Sequence, residues 1–258
     1  MSRQRRLSGR NILIVGASSG IAAETAVLLA RQQNTIGLVA RRQDKLDEVS
    51  KAVTAAGGMA RTWVGDATDS TAMDALVEDA AREFGRLDVV WANAGQGPDI
   101  PIESATIRDI DSMVSLNYDV MTNVLVPAVR VFRRQGVGQF VHTNSLASML
   151  GVPRQGPYGA AKVAARLLID AARTELADEG LSFTSLYPGF VATDRIADDG
   201  LPKPLQITVD QAARRSLKAI ERRERNAYFP PSTTALVRVL QAMPAPARER
   251  VLRRLARG

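Results

Sequence analysis

With 258 residues, 45% of them apolar and 24% charged, the chain has enough material for a full hydrophobic core and the balance of a soluble globule. It has no cysteine and one histidine, His142, which rules out disulfides and thiolate metal sites and leaves no metal ligand set to expect. The net charge of +7 comes with only 5% aromatics, so base-stacking platforms are scarce; the excess reads as a solvated basic surface plus a pocket for a polyanionic ligand, and no nucleic acid is expected.

The first ten residues are basic but lead into no apolar run, and nowhere does the chain approach the roughly 18 apolar residues of a membrane span. A soluble, cytoplasmic protein is the expectation. Residues 11–15, N-I-L-I-V, are short, apolar and β-branched, the pattern of a buried strand. They run into Gly16-Ala17-Ser18-Ser19-Gly20-Ile21 and then a helix-forming stretch. Strand, Gly/Ser turn and helix N-terminus together make an anion site, because unpaired backbone N–H groups and the helix dipole point at the ligand. Gly16 permits the tight turn and Gly20 a close backbone approach to a pyrophosphate. An ordinary glycine-bearing turn is the other reading; the position at the first strand-to-helix crossover favours a dinucleotide.

A second strand, 35–40, ends at Arg41-Arg42. An acidic residue here would hold ribose hydroxyls, whereas a cation suits a 2′-phosphate, so NADP(H) is favoured over NAD(H). Residues 44–58 show Leu46, Val49 and Val53 on one helical face, ended by Gly57-Gly58. A third strand, 59–64, leads to Asp66 and Ala67, where a carboxylate is placed to take an adenine amino group or to cap the next helix. That helix carries Met73, Leu76, Val77, Ala80 and Phe84 as a core face, and a fourth strand, 87–92, delivers Asn93-Ala94-Gly95.

A long helix is expected over 107–134 with Asn117 inside it, an unfavourable place for Asn unless its side chain faces solvent or has a task. The fifth strand, 139–144, contains His142, read as a structural histidine, and ends at Ser145. Tyr158 and Lys162 follow on a helix reaching about residue 179, and at i and i+4 they share one face. An ammonium beside a phenol favours the phenolate, so the spacing predicts a Tyr158 pKa below its usual value of about 10 and a general acid or base near neutral pH. The sixth strand, 181–187, opens into Pro188-Gly189-Phe190-Val191-Ala192-Thr193. Residues 193–207 read as a substrate loop, and Met149, Leu150 and Val152 near Ser145 lean toward an apolar pocket. From about 232 to 258 a basic helical extension is expected: one helix over 233–244 and a second, amphipathic one over 246–257 with Val251, Leu252 and Leu255 on one side. Packing on its own domain or a neighbouring subunit is the favoured reading of that second helix, and an anionic membrane the other.

Strands and helices alternate without a linker, which predicts a single α/β domain over 1–258: a doubly wound parallel sheet with helices on both faces and the ligand at the carboxyl ends of the strands. The ordered motifs V-G-A-S-S-G-I-A, A-N-A-G at 92–95, Asn117, Ser145, Tyr158 thirteen residues on, Lys162, and P-G-F-V-A-T resemble those of the short-chain dehydrogenase/reductase family over about residues 9–193. Ala22 stands where that family usually has a third glycine. The resemblance implies a Rossmann-fold NADP(H)-dependent carbonyl reductase or alcohol dehydrogenase, commonly a homodimer or homotetramer, acting on a small-molecule carbonyl or alcohol. Asn117, Ser145, Tyr158 and Lys162 would be its catalytic residues. Gly16, Ser18, Ser19, Gly20, Ile21, Arg41, Arg42, Asp66, Ala67, Asn93, Ala94, Gly95, Tyr158, Lys162, Pro188, Gly189, Val191 and Thr193 would contact the cofactor. A different class, an NADP(H)-binding regulator without turnover, usually loses the Tyr or the Lys; here both are present.

Overall fold

The computed structural model describes residues 7–192 and 205–255. In chain order the elements are β1 (Asn11–Val15), α1 (Gly20–Ala30), β2 (Thr35–Ala40), α2 (Gln43–Ala55), β3 (Met59–Val64), α3 (Ser70–Phe84), β4 (Val89–Ala92), α4 (Ile107–Val114), α5 (Val120–Gln135), β5 (Gly138–Thr143), α6 (Gly156–Glu175), β6 (Leu181–Pro188), β7 (Phe190–Ala192), β8 (Gln206–Thr208), α7 (Val209–Glu221), β9 (Asn226–Phe229), α8 (Pro231–Ala242) and α9 (Ala245–Leu255). Seven strands form one parallel sheet in the order β3-β2-β1-β4-β5-β6-β9, while β7 and β8 pair with each other.

The side-chain alternation of β1 shows why both faces are covered. Leu13 and Val15 join a core with residues of α3, α5 and α6, whereas Ile12 and Ile14 join a second core with residues of α1, α2 and α7. The strand order reverses direction between β1 and β4, so the loops after these strands leave to opposite sides and open a crevice.

Helix ends follow local chemistry. The Asp69 carboxylate accepts from the Ala72 N–H at the start of α3, and Thr106 with Asp109 makes a reciprocal capping box at the start of α4. Arg173 of α6 is buried and donates to Phe183 O, Ser185 Oγ and Arg225 O, tying that helix to β6 and to the chain entering β9.

Three elements differ from the sequence expectation. The single helix over 107–134 is interrupted by a π-helical turn at Ser115–Asp119, and the wider turn rotates Asn117 inward, fully buried. Residues 209–221 and 226–229 form a helix and a seventh sheet strand where no elements were expected. The flanking R-R-E-R is wholly polar and N-A-Y-F is too short to show a period of two. The last helix forms where expected, over Ala245–Leu255, with Val251 and Leu252 half-buried. The proposed substrate loop lies mostly outside the described residues, as does Thr193.

Candidate active site

The floor of the crevice is a hydrogen-bonded brace across β1, β4 and β5. Asn93 Nδ2 donates to Gly16 O at 2.9 Å, Thr143 Oγ1 donates to Asn93 Oδ1 at 2.9 Å, and Trp91 Nε1 donates to Thr143 Oγ1 at 2.9 Å. Gly16 has φ of 89°, and a Cβ there would lie 2.5 Å from the backbone nitrogen of Ala94. Only glycine satisfies both demands, so the turn after β1 lies directly on the loop after β4.

Above this floor a cleft of about 970 Å³ is lined by Gly16, Ser18, Ser19, Gly20 and Ile21, and further along by Asn93, Ala94 and Gly95. Arg41, Arg42, Asp66 and Ala67 line its other end. Ser19 is the N-cap of α1 but its side chain makes no capping bond, so none of the first-turn N–H groups has a side-chain partner there. A long cleft with helix N–H donors at its middle and cations at one end suits a dinucleotide, whose pyrophosphate the α1 N-terminus would hold, with Arg41 and Asp66 available to the adenosine and Gly95 to the nicotinamide. Arg41 Nη1 lies 3.9 Å from Asp66 Oδ2, and Arg42 Nη2 donates to Ser18 Oγ at 3.3 Å. The Asp66 carboxyl is held below its usual range, first by the Thr68 N–H that bonds it and less by Arg41. It is therefore an ionised acceptor, as an amino group requires.

The inner end of the cleft adjoins the reactive cluster. A Cβ on Gly95 would sit 2.8 Å from Asn117 Oδ1 and 3.2 Å from Lys162 Nζ, so both polar atoms face the same space beside Gly95. Asn117 is fixed there: its Nδ2 donates to Gln96 O and Met113 O, and its Oδ1 accepts from Gln96 N–H. One acceptor lone pair remains on Oδ1 for a water. Lys162 is 2% exposed, donates from Nζ to Thr143 O at 2.9 Å, and places its ammonium 5.7 Å from the centre of the Tyr158 ring. Asn144 Nδ2 bonds Lys162 O, and its Oδ1 accepts from Ser145 N–H, which locks the serine loop to α6. Gly159 completes the fit, since a Cβ there would press on Ala147 O at 3.1 Å. Ser145 Oγ accepts from Ala147 N–H and lies near enough to the Tyr158 phenol to favour its ionised form.

The electrostatics correct one expectation. The Tyr158 phenol is not lowered: removal from water pushes its pKa up, and the nearby Ser145 hydroxyl opposes this only in part. Burial also depresses Lys162, to about 8. The i, i+4 argument left out the phenol's own loss of water, which disfavours the phenolate and outweighs its neighbours here; Lys162 is not among the groups that shift it. At neutral pH the phenol is therefore protonated, a donor rather than a base. His142 lies within the sheet with neither ring nitrogen partnered among the described residues, and burial followed by the charge of Lys162 holds it neutral.

Of the residues expected at the cofactor, Tyr158, Lys162, Pro188, Gly189 and Val191 are not among those that line the cleft; Tyr158 and Lys162 stand beside its inner end. Gly189 packs against Leu146 and Thr233, and Val191 is buried opposite Ile207. Sequence reading missed Thr143, Asn144 and Gln96, which position Lys162, Ser145 and Asn117. The run T-N-S at the end of β5 held the signal for two of them. Lys45 also lines the cleft, four residues after Arg41.

The chain matches the family model for short chain dehydrogenase over residues 10–201. It belongs to the short-chain dehydrogenase family. An uncharacterised oxidoreductase of Listeria innocua is 32% identical over 73% of this chain and 77% of its own length. A fatty acyl-CoA reductase of Mycobacterium tuberculosis is 32% identical over 76% of this chain and 69% of its own. Among solved structures, an alcohol dehydrogenase of Thermococcus sibiricus complexed with 5-hydroxy-NADP superposes with a TM-score of 0.77 at 25% identity, over 86% of this chain and 96% of that one. The short-chain dehydrogenase described here is thus an oxidoreductase that uses a nicotinamide dinucleotide. Among its described residues no helix is long and apolar enough to cross a membrane.

Proposed function

We propose that this short-chain dehydrogenase interconverts a carbonyl and a secondary alcohol using NADP(H), on a small-to-medium apolar substrate. The observation that carries the reading is that Asn117 and Lys162 meet beside Gly95 at the inner end of the dinucleotide-sized cleft, with the Tyr158 ring against Gly97, 5.7 Å from Lys162 Nζ, and Ser145 near its phenol. When bound, the cofactor supplies or accepts hydride. Tyr158, protonated at neutral pH, donates its proton to the carbonyl oxygen as negative charge develops there. Ser145 hydrogen-bonds the same oxygen and stabilises that charge. Lys162 holds the ribose hydroxyls beside the nicotinamide and returns a proton toward Tyr158 after each turnover. Asn117 presents its free lone pair to a water that links Lys162 to solvent.

NADP(H) is supported by Arg41 and Arg42 at the adenosine end, where Arg41 has only a long ion pair to Asp66, while Lys45 there is paired with Glu48. An apolar substrate is supported by Met149 and Leu150, which pack with Leu146, Tyr187 and Val237 beside the serine loop. Self-association as a homodimer or homotetramer is supported by the exposed Ile107, Val126 and Leu167 on α4, α5 and α6.

The deciding assay follows NADPH consumption against a panel of ketones and aldehydes, with Tyr158→Phe in parallel. The variant should bind NADPH as the parent does while turnover drops about 10²–10⁴-fold. Near-normal turnover would remove Tyr158 from the chemistry.

A further inference from the structure

From residue 231 onward the sequence holds six arginines and one acidic residue, Glu249, so five of the chain's net seven positive charges fall in this segment. Arg238 on α8 and Arg250, Arg253 and Arg254 on α9 are exposed, and among the described residues none of them has a carboxylate partner. This differs from many surface arginines elsewhere: Arg61 pairs with Glu83, Arg130 with Asp74, Arg133 with Glu179, Arg134 with Glu78 and Arg214 with Asp210. Arg250, Arg253 and Arg254 thus present uncompensated charge, while Arg238 lies over the Tyr228 ring, 5.5 Å from its centre.

That charge flanks an apolar stripe. On α8, Ala235, Val239 and Ala242 lie at i, i+4 and i+7, one line along the helix, and all three are exposed, Val239 to 61%. Beyond the turn, Ala245 and Pro246 are exposed, and Val251 and Leu252 of α9 are half-buried. The opposite face of α8 is fastened to the reaction centre. Thr233, Thr234, Val237 and Leu240 are buried, and Gln241 Nε2 donates to Met149 O, four residues from Ser145. The apolar stripe and its arginines therefore stand on the rim of the serine loop.

We propose that α8 and α9 form an interfacial anchor that seats this rim on an anionic lipid surface. A bilayer interface matches both halves of the surface, taking apolar side chains below and phosphate groups beside the arginines. A nucleic acid uses only the charge, and no aromatic residue follows Phe229 to stack on a base. A second copy would bring like charges together across a two-fold axis. Joined to the carbonyl reduction proposed above, on which this clause alone rests, the anchor lets an apolar substrate enter from the lipid without crossing water.

The test is flotation of the full-length protein with vesicles of phosphatidylcholine alone or mixed with phosphatidylglycerol, in low and high salt. Binding should require phosphatidylglycerol, and high salt should release it. The variant R250A/R253A/R254A should weaken binding about 100-fold, about five-fold per arginine. Val239→Asn should weaken it without changing the net charge. Both variants should keep the parent's thermal midpoint and its NADPH affinity, since none of these residues lines the cleft. Failure to float with phosphatidylglycerol, or flotation unchanged in both variants, would overturn the anchor. So would binding to heparin without binding to vesicles, or a sedimenting dimer that the triple variant splits into monomers. Inactivity on every carbonyl compound with flotation intact would instead remove the reduction and leave the anchor standing.

Discussion

Lys162 carries a conflict between stability and chemistry that can be measured. Its ammonium is buried with one protein hydrogen bond, to Thr143 O, and its pKa falls from the usual 10.5 to about 8. A base depressed in the folded state withholds stability wherever it is charged, which here means below about pH 8. The loss is recovered as pH rises from 8 to 10.5, because there only the unfolded chain keeps the proton. At roughly 1.4 kcal/mol per tenfold change, the full penalty is about 3 kcal/mol at pH 7. Lys162→Met removes it but leaves Thr143 O without that donor, a loss of about 1 kcal/mol. The variant should therefore be more stable than the parent at pH 7 by about 2 kcal/mol in urea unfolding, and lose that advantage near pH 10, while turnover falls to background. A variant less stable at pH 7 would mean that the ammonium is well hydrated in place. Arg41 offers a second measurement at this scale. Arg41→Ala should raise the KM for NADPH about 10–100-fold, as expected for one lost charge-assisted hydrogen bond, and move that for NADH less than two-fold. Equal effects on both cofactors would make Arg41 a surface residue with no part in the preference.

At the scale of elements, what the sequence revealed depended on whether a signal was local. β1, the glycine turn and α1 could be read because a β-branched run, two glycines and a helix former follow one another within about twenty residues. The spacing of Tyr158 and Lys162 was equally plain, since a helix fixes its own geometry. Their protonation was not, because it depends on burial beneath loops from β4 and β5 that no helical wheel displays. The π turn at Ser115–Asp119 was hidden for a related reason. Its one extra residue per turn leaves composition unchanged, yet it turns Asn117 from an exposed helical position into a fixed neighbour of Gln96 and Gly95. Thr143 and Asn144 escaped notice because their work is done through backbone partners on other elements.

At the scale of the molecule, β9 and α8 show what a sheet edge contributes. β9 pairs Ala227 with Leu186 and Phe229 with Pro188, and α8 returns from it across the serine loop. Neither short strand nor its placement was legible, because a four-residue edge strand is selected by the surface that receives it. The two C-terminal helices, similar in length and both amphipathic, stand in opposite relation to that surface. α8 buries Val237 and Leu240 together with two threonines, while among the described residues α9 buries none. Two buried aliphatic side chains at about 1.5–3 kcal/mol each amount to a large part of the 5–15 kcal/mol that holds a typical domain folded. Removing residues 245–258 should therefore leave the urea midpoint and the turnover of a water-soluble carbonyl substrate close to the parent's. Removing residues 231–258 should lower the midpoint sharply and loosen Met149, Leu146 and with them Ser145, so that turnover falls before the fold is lost. If the shorter truncation is as damaging as the longer one, α9 is part of the folded core and cannot be free to rest on another surface.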